Sequence, residues 1–340
     1  MKLLNRKDRP AETDDYYEER PEPDDVIEPQ PEREEPIHPD PGLRDLSRRD
    51  YVAMFKRAFK RFTGDHMTNI AAALAYYAFL AIPSLLLVVV GIFSLVAGPN
   101  AISTVIDKLH SVMPGQATSL IHDSLTRMTQ HHGAGIAVLS IGGLLAVWSL
   151  TGAMQNVMWA TNVAYNRDEG RGFVKRRITA AAMVVFALVG FALLFGVLIL
   201  GPHLSQWVGD AVGQKTVVGY AWWIAEWPLL LIGLLVAFSG IMRLGPNVEH
   251  PKWQFLSIGA FVAILVWLIA SGAFAFYVSR FGSYNKAWGS LSAVVVMLTW
   301  LWLSSVALLF GVEVNAEAER SRELRMGKPA ERELQLPAKA

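Results

Sequence analysis

The chain has 340 residues, of which 52% are hydrophobic and only 18% charged. Its charges are segregated along the sequence, the pattern of a membrane protein, so the net charge of +1 says nothing about partners. There is no cysteine, which excludes disulfides, thiolate nucleophiles and cysteine-ligated zinc.

Residues 1–43 hold 14 Asp and Glu against 6 Lys and Arg, with 8 of the 17 prolines. Such a segment buries too little apolar surface to offset the entropy of ordering, so a disordered acidic head is expected there. It lacks the basic start and apolar stretch of a signal peptide, and the first apolar helix is expected to act as an uncleaved insertion signal. Residues 44–66 are basic. Phe55, Phe59 and Phe62 recur at helical spacing with Lys and Arg between them, which predicts an amphipathic helix over Tyr51–Phe62 lying on an anionic leaflet.

Six apolar runs follow: Ile70–Ala97, Ile136–Ala160, Thr179–Leu200, Ala221–Met242, Phe255–Val278 and Leu291–Val312. Each approaches or exceeds the roughly 20 residues that a helix needs to cross a bilayer. The predicted fold is an all-α, six-helix membrane bundle over 67–316, followed by a charged tail over 317–340. Twenty cations flank one set of helix ends and five the other, so the positive-inside rule predicts both termini in the cytoplasm and three hairpins facing outward.

The first outer loop is the longest. Its apolar spacing, broken at Pro114-Gly115, predicts two short amphipathic helices. His110, His122, Asp123, His131 and His132 share this loop. Adjacent His131 and His132 would point apart on a helix, so the set reads as solvated, and neither metal nor cofactor is expected.

In the first span Tyr76 and Tyr77 precede Pro83, which removes a backbone donor and predicts a kink. In the second, Gly142, Ala146, Ser149, Ala153, Asn156 and Ala160 line one stripe. Two readings stand: a cavity or pathway lined by Ser149, Thr151, Gln155 and Asn156, or a close helix–helix seam. In the fourth span Glu226 sits among Trp222, Trp223 and Trp227, an interfacial belt where a carboxylate is wet. Glu313 closes the sixth span, where the helix dipole disfavours a carboxylate. Arg243 closes the fourth on the same side, and an Arg243–Glu313 ion pair is expected. A faint likeness between Trp148-Ser149…Gly152-Ala153 and Trp267…Ser271-Gly272-Ala273 suggests an inverted repeat.

No phosphate-binding loop or HExxH motif is present. The loop cations are explained by topology and lack clustered carboxylates, so no nucleic acid partner and no catalytic residue are expected.

Four groups of residues resemble one family. The first span reads AALAYYAFLAIPSLL from Ala72, and the second carries Trp148 and the Asn-x-x-Tyr pattern. The fourth ends RLGPN, with Arg243, Pro246 and Asn247. The last stretch contains Tyr284-Asn285, Gly289-Ser290-Leu291 and Gly311-x-Glu313-x-Asn315. Over about Phe55–Glu319 the chain is thus similar to the YihY/BrkB family of bacterial inner-membrane proteins. Trp288 stands where many members carry Tyr, with only a packing consequence expected. The resemblance implies six transmembrane helices and supplies no catalytic residues. Members once carried the name ribonuclease BN, widely regarded as an error, and others are called virulence proteins. The leading expectation is transport-like movement of an envelope lipid or other amphiphile, with membrane lipids as partners. A non-transporting scaffold whose acidic head recruits a protein partner comes second, and a membrane-bound hydrolase or ribonuclease last.

Overall fold

The computed structural model of the protein describes residues 30–42, 45–97, 132–249, 257–281, 290–331 and 333–339. Seven α-helices run through them: α1 Arg48–Gly64, α2 Met67–Ala97, α3 His132–Ala164, α4 Phe173–Val212, α5 Lys215–Leu244, α6 Ile258–Phe281 and α7 Ser290–Arg325. No β-strand occurs among the described residues. Side chains are described as far as Ile82 in α2, and from Leu144 in α3 apart from Leu145 and Ala146. The acidic residues 1–29, residues 98–131 with His110, His122, Asp123 and His131, the side chains of Pro83 and His132, and Tyr284, Asn285, Trp288 and Gly289 lie outside the description.

Among the described residues four helices are long and apolar enough to cross a membrane: Phe173–Leu198, Lys215–Leu244, Ile258–Arg280 and Ser292–Arg325. A shorter apolar helical stretch covers Met67–Ile82. Their mid-sections expose large apolar side chains such as Val185, Val189, Leu193, Leu229, Ile232, Leu265 and Ile269. In water this much contiguous apolar surface would drive aggregation; in hydrocarbon it is the stable arrangement.

The core gathers at one end of the bundle, called here the α1 end. There Met67, Ile70 and Leu74 of α2 meet Ala160 and Ala164 of α3, Met242 of α5, and Leu309, Val312 and Ala316 of α7. α1 starts with a reciprocal cap, in which the Asp50 amide donates to Ser47 Oγ at 3.2 Å and the Ser47 amide to Asp50 Oδ2 at 2.8 Å. It lays Met54 and Ala58 on Val314 and Ala318 of α7. Phe62 turns inward against Phe310, whereas Phe55 and Phe59 remain exposed. α7 continues well past its apolar run, and every residue from Gly311 to Arg325 is buried. Pairs three residues apart, Glu317 with Arg320 and Glu319 with Arg322, carry this extension.

α6 and α7 approach backbone to backbone. A Cβ added at Gly259 would fall on the Gly311 carbonyl, and one at Gly311 on the Gly259 carbonyl. The Gly259 amide donates to Asn315 Oδ1 at 2.9 Å. Farther along, Trp267 donates to Ser304 Oγ at 2.9 Å and Trp300 to Ser271 Oγ at 3.3 Å. Gly259→Ala should therefore destabilise the bundle by about 1–3 kcal/mol in detergent unfolding, because backbone cannot move aside. Gly272→Ala, facing open space, should not destabilise it.

Candidate functional site

The polar residues of α3 divide between two partners. Asn156 Nδ2 donates to the Gly152 carbonyl of its own helix at 2.9 Å. Thr151 and Gln155 instead face Arg177 of α4. Arg177 Nη1 donates to Thr151 Oγ1 at 3.4 Å. With its amide oxygen turned toward the guanidinium, Gln155 accepts from Nη1 and Nε at 3.2 and 3.1 Å. The Trp148 ring covers the same guanidinium at 4.2 Å. Ser149 is half-buried beside them, while Tyr76 and Tyr77 form an edge-to-face pair on the exposed surface of α2. The face of α3 that meets Arg177 carries Trp148, Thr151 and Gln155 and lies off the Ser149–Asn156 stripe; Arg177 is one of the twenty flanking cations, and its partners are not visible from spacing alone.

The expected Arg243–Glu313 ion pair does not form. Both Glu313 oxygens and Arg243 Nη1 are buried without hydrogen-bond partners. Helix geometry explains the miss. α5 meets α7 through Met242, against Gly311 and Asn315. Each residue advances about 100° around a helix, so Arg243 turns away from this contact. Glu313, two residues from both Gly311 and Asn315, occupies the opposite face of α7. The charges acting on it are those of Asp65, Glu317, Arg61 and Arg320.

The RLGPN segment is held through its carbonyls. A helix C-terminus leaves its last carbonyls unpaired and carries partial negative charge. Here two cations answer it. Lys339 Nζ donates to the Arg243 and Pro246 carbonyls at 2.8 and 2.9 Å. Arg171 Nη2 donates to the Gly245 carbonyl at 2.7 Å, and Nη1 to that of Leu244 at 3.4 Å. Arg171 is itself oriented by Glu169, with Nε to Oε1 at 2.7 Å, and Asn162 joins Glu169 to the turn by accepting from the Asn247 amide at 2.7 Å. Burial alone would raise the Glu169 carboxyl, but the hydrogen bonds from Arg171 and Asn162 hold it below its ordinary value.

Lys339 belongs to a tail that folds back into the α1 end. Leu334 and Leu336 enter the core beside Phe62, Met67 and Tyr165. Arg167 Nη2 donates to the Leu334 and Leu336 carbonyls at 2.6 and 2.8 Å, and the Glu249 amide to the Pro337 carbonyl at 2.8 Å. Residues 30–42 also pack against α7. Glu32 accepts from Arg57 Nη2 at 2.8 Å and from Ser321 Oγ at 2.7 Å. Glu35 pairs with Arg325, and Arg33 Nε donates to Glu331 at 2.8 Å. At the centre is Glu317, fully buried, which accepts from Arg57 at 2.8 Å and Arg320 at 2.9 Å and is ion-paired to Arg61 at 3.0 Å.

At the far end a cavity of about 280 Å³ lies between α4 and α5, lined by Leu204, Ser205, Val208, Val218, Ala221, Trp222 and Ala225. Trp222 Nε1 is buried there without a partner. No group of three or more potential metal-ligating side chains occurs among the described residues.

Apolar helices that expose their mid-sections and collect charge at one end define an all-α membrane protein. The chain belongs to the virulence factor BrkB family, whose model matches residues 58–334. Among its relatives, a protein of Bacillus subtilis named as ribonuclease-like, YfkH, is 28% identical over 275 residues, 80% of this chain and 98% of that protein. A UPF0761 membrane protein of Rhodospirillum centenum is 26% identical over 81% of this chain, which spans only 60% of that relative. A UPF0761 membrane protein of Vibrio campbellii is 26% identical over 78% of this chain and 82% of its own length. No solved structure matches the chain.

Two outcomes follow from this geometry. Glu317→Gln leaves three arginines short of a buried counter-charge, and should cost about 3–5 kcal/mol in detergent unfolding. Tail docking should also respond to pH. Burial, then the neighbouring Arg171 and Arg243, lowers Lys339 from 10.5 to about 8. The undocked tail therefore binds more protons between these values, so docking tightens as pH rises from about 8 to 10.5. Slower proteolysis of the tail across that window, abolished in Lys339→Met, would be the signature.

Proposed function

We propose that this is a six-span bacterial inner-membrane protein, with both termini in the cytoplasm, that moves or exchanges an envelope lipid or another amphiphile. On this reading α2–α7 are the six spans and the α1 end faces the cytoplasm, as the cation bias requires. One observation carries the transport reading: Ser239 Oγ, Arg243 Nη1, Asn247 Oδ1 and both Glu313 oxygens are buried, without hydrogen-bond partners among the described residues, at the end of the bundle that the tail closes. Unpaired buried polar groups are costly and rare in native structures, and a passing polar headgroup would satisfy them in turn. Purified protein in vesicles should accelerate the exposure of inner-leaflet fluorescent lipid to an external quencher. Glu313→Gln should slow it at least tenfold, and an equal rate in protein-free vesicles would overturn the reading.

Closure of the α1 end by Leu334 and Leu336 favours the second reading, a scaffold without transport. Removal of residues 1–29, which leaves the packed 30–42 intact, should spare a transporter and disable a scaffold that recruits through its acidic head. The ribonuclease-like name belongs to the Bacillus relative. Our reading expects the purified protein to leave RNA intact.

A further inference from the structure

We propose that the α3–α4 corner binds the phosphate of an anionic lipid headgroup, through Arg176 and Arg177. The inference rests on the membrane placement of α3 and α4 and does not require transport. α4 opens with Phe173, Val174, Lys175, Arg176 and Arg177. Three successive cations stand in its first two turns, with no acid in the first turn and no side-chain cap on its free amides. Several other cations of this end have acidic or carbonyl partners: Arg171 holds Glu169, Arg57 and Arg61 hold Glu317, and Arg167 and Lys339 hold carbonyls. Arg176 and Arg177 have no ion-pair partner among the described residues.

Arg177 is nonetheless held in place. Thr151 and Gln155 accept from its Nη1 and Nε, Trp148 stacks over it, and its Nη2 has no partner among the described residues. Arg176 lies 6.0 Å from the Phe173 ring centre, and its Nε is shielded from solvent yet unpartnered. Trp148 and Phe173 are 65% and 64% exposed, so both rings lie on the outer surface of the bundle, where acyl chains would cover them. Two oriented guanidinium groups lacking counter-charge, above apolar rings on a lipid-facing surface, complement a phosphate carried on acyl chains. A free phosphate would use the cations but gain nothing from the rings.

The test uses full-length protein in nanodiscs of zwitterionic lipid doped with phosphatidylglycerol, with retained lipid counted by native mass spectrometry. Wild-type protein should retain phosphatidylglycerol preferentially. The Arg176→Gln, Arg177→Gln double variant should lose affinity about 25-fold, at about fivefold per cation. Arg176→Gln alone removes no hydrogen bond to the described residues, so it tests the site without endangering the fold; a loss of about fivefold is expected. Lys56→Gln, at an exposed cation of α1, should change nothing. Equal retention by wild type and Arg176→Gln, or release of the lipid by millimolar inorganic phosphate, would overturn the assignment.

Discussion

Glu317 is the point on which the α1 end turns. Its carboxylate is fully buried, receives hydrogen bonds from Arg57 of α1 and Arg320 of its own helix, and is ion-paired to Arg61 of α1. Burying one charge without partners would cost several kcal/mol, so the three arginines and the carboxylate stand or fall together. Arg57 carries the connection onward to Glu32 of the 30–42 strap, and Arg320 to the Ala330 and Glu331 carbonyls of the tail. One carboxylate thus ties α1, α7, strap and tail into a single assembly.

Hydrocarbon explains why that assembly sits where it does. Nothing in a bilayer interior can hydrogen-bond, so the mid-sections of α4, α5, α6 and α7 carry apolar side chains and small or hydroxyl residues that bond within or between helices. The charged residues collect beyond the spans. At the α5 end the same physics works through the backbone: four carbonyls that a helix terminus leaves open are answered by Arg171 and Lys339. The tail is therefore held by hydrogen bonds to the bundle as well as by burial of Leu334 and Leu336.

Against this satisfied background the unpartnered groups stand out. Arg243 lies one residue from the Met242 contact and Glu313 two from Gly311 and Asn315, and neither reaches the other. A structure that pairs Glu317 with three arginines while leaving Glu313 with none does not lack cations; it has directed them elsewhere. Arg176 and Arg177 are the converse case, cations with abundant carboxylates at the same end but none in reach. Both groups are places where the protein alone does not complete the chemistry.

Hydrophobic run length determined the class of this protein, because partition between water and hydrocarbon depends on composition and not on neighbours. The α3 stripe and the Gly311-x-Glu313-x-Asn315 motif were legible for the same reason, as periodicities on one helix. The partners were not. Whether Glu313 meets Arg243, whether Gln155 meets Arg177, and whether the tail enters the core depend on the rotation of each helix about its own axis. That rotation is set by side chains distant in sequence, such as Gly259 against Gly311, and only the packed structure decides it.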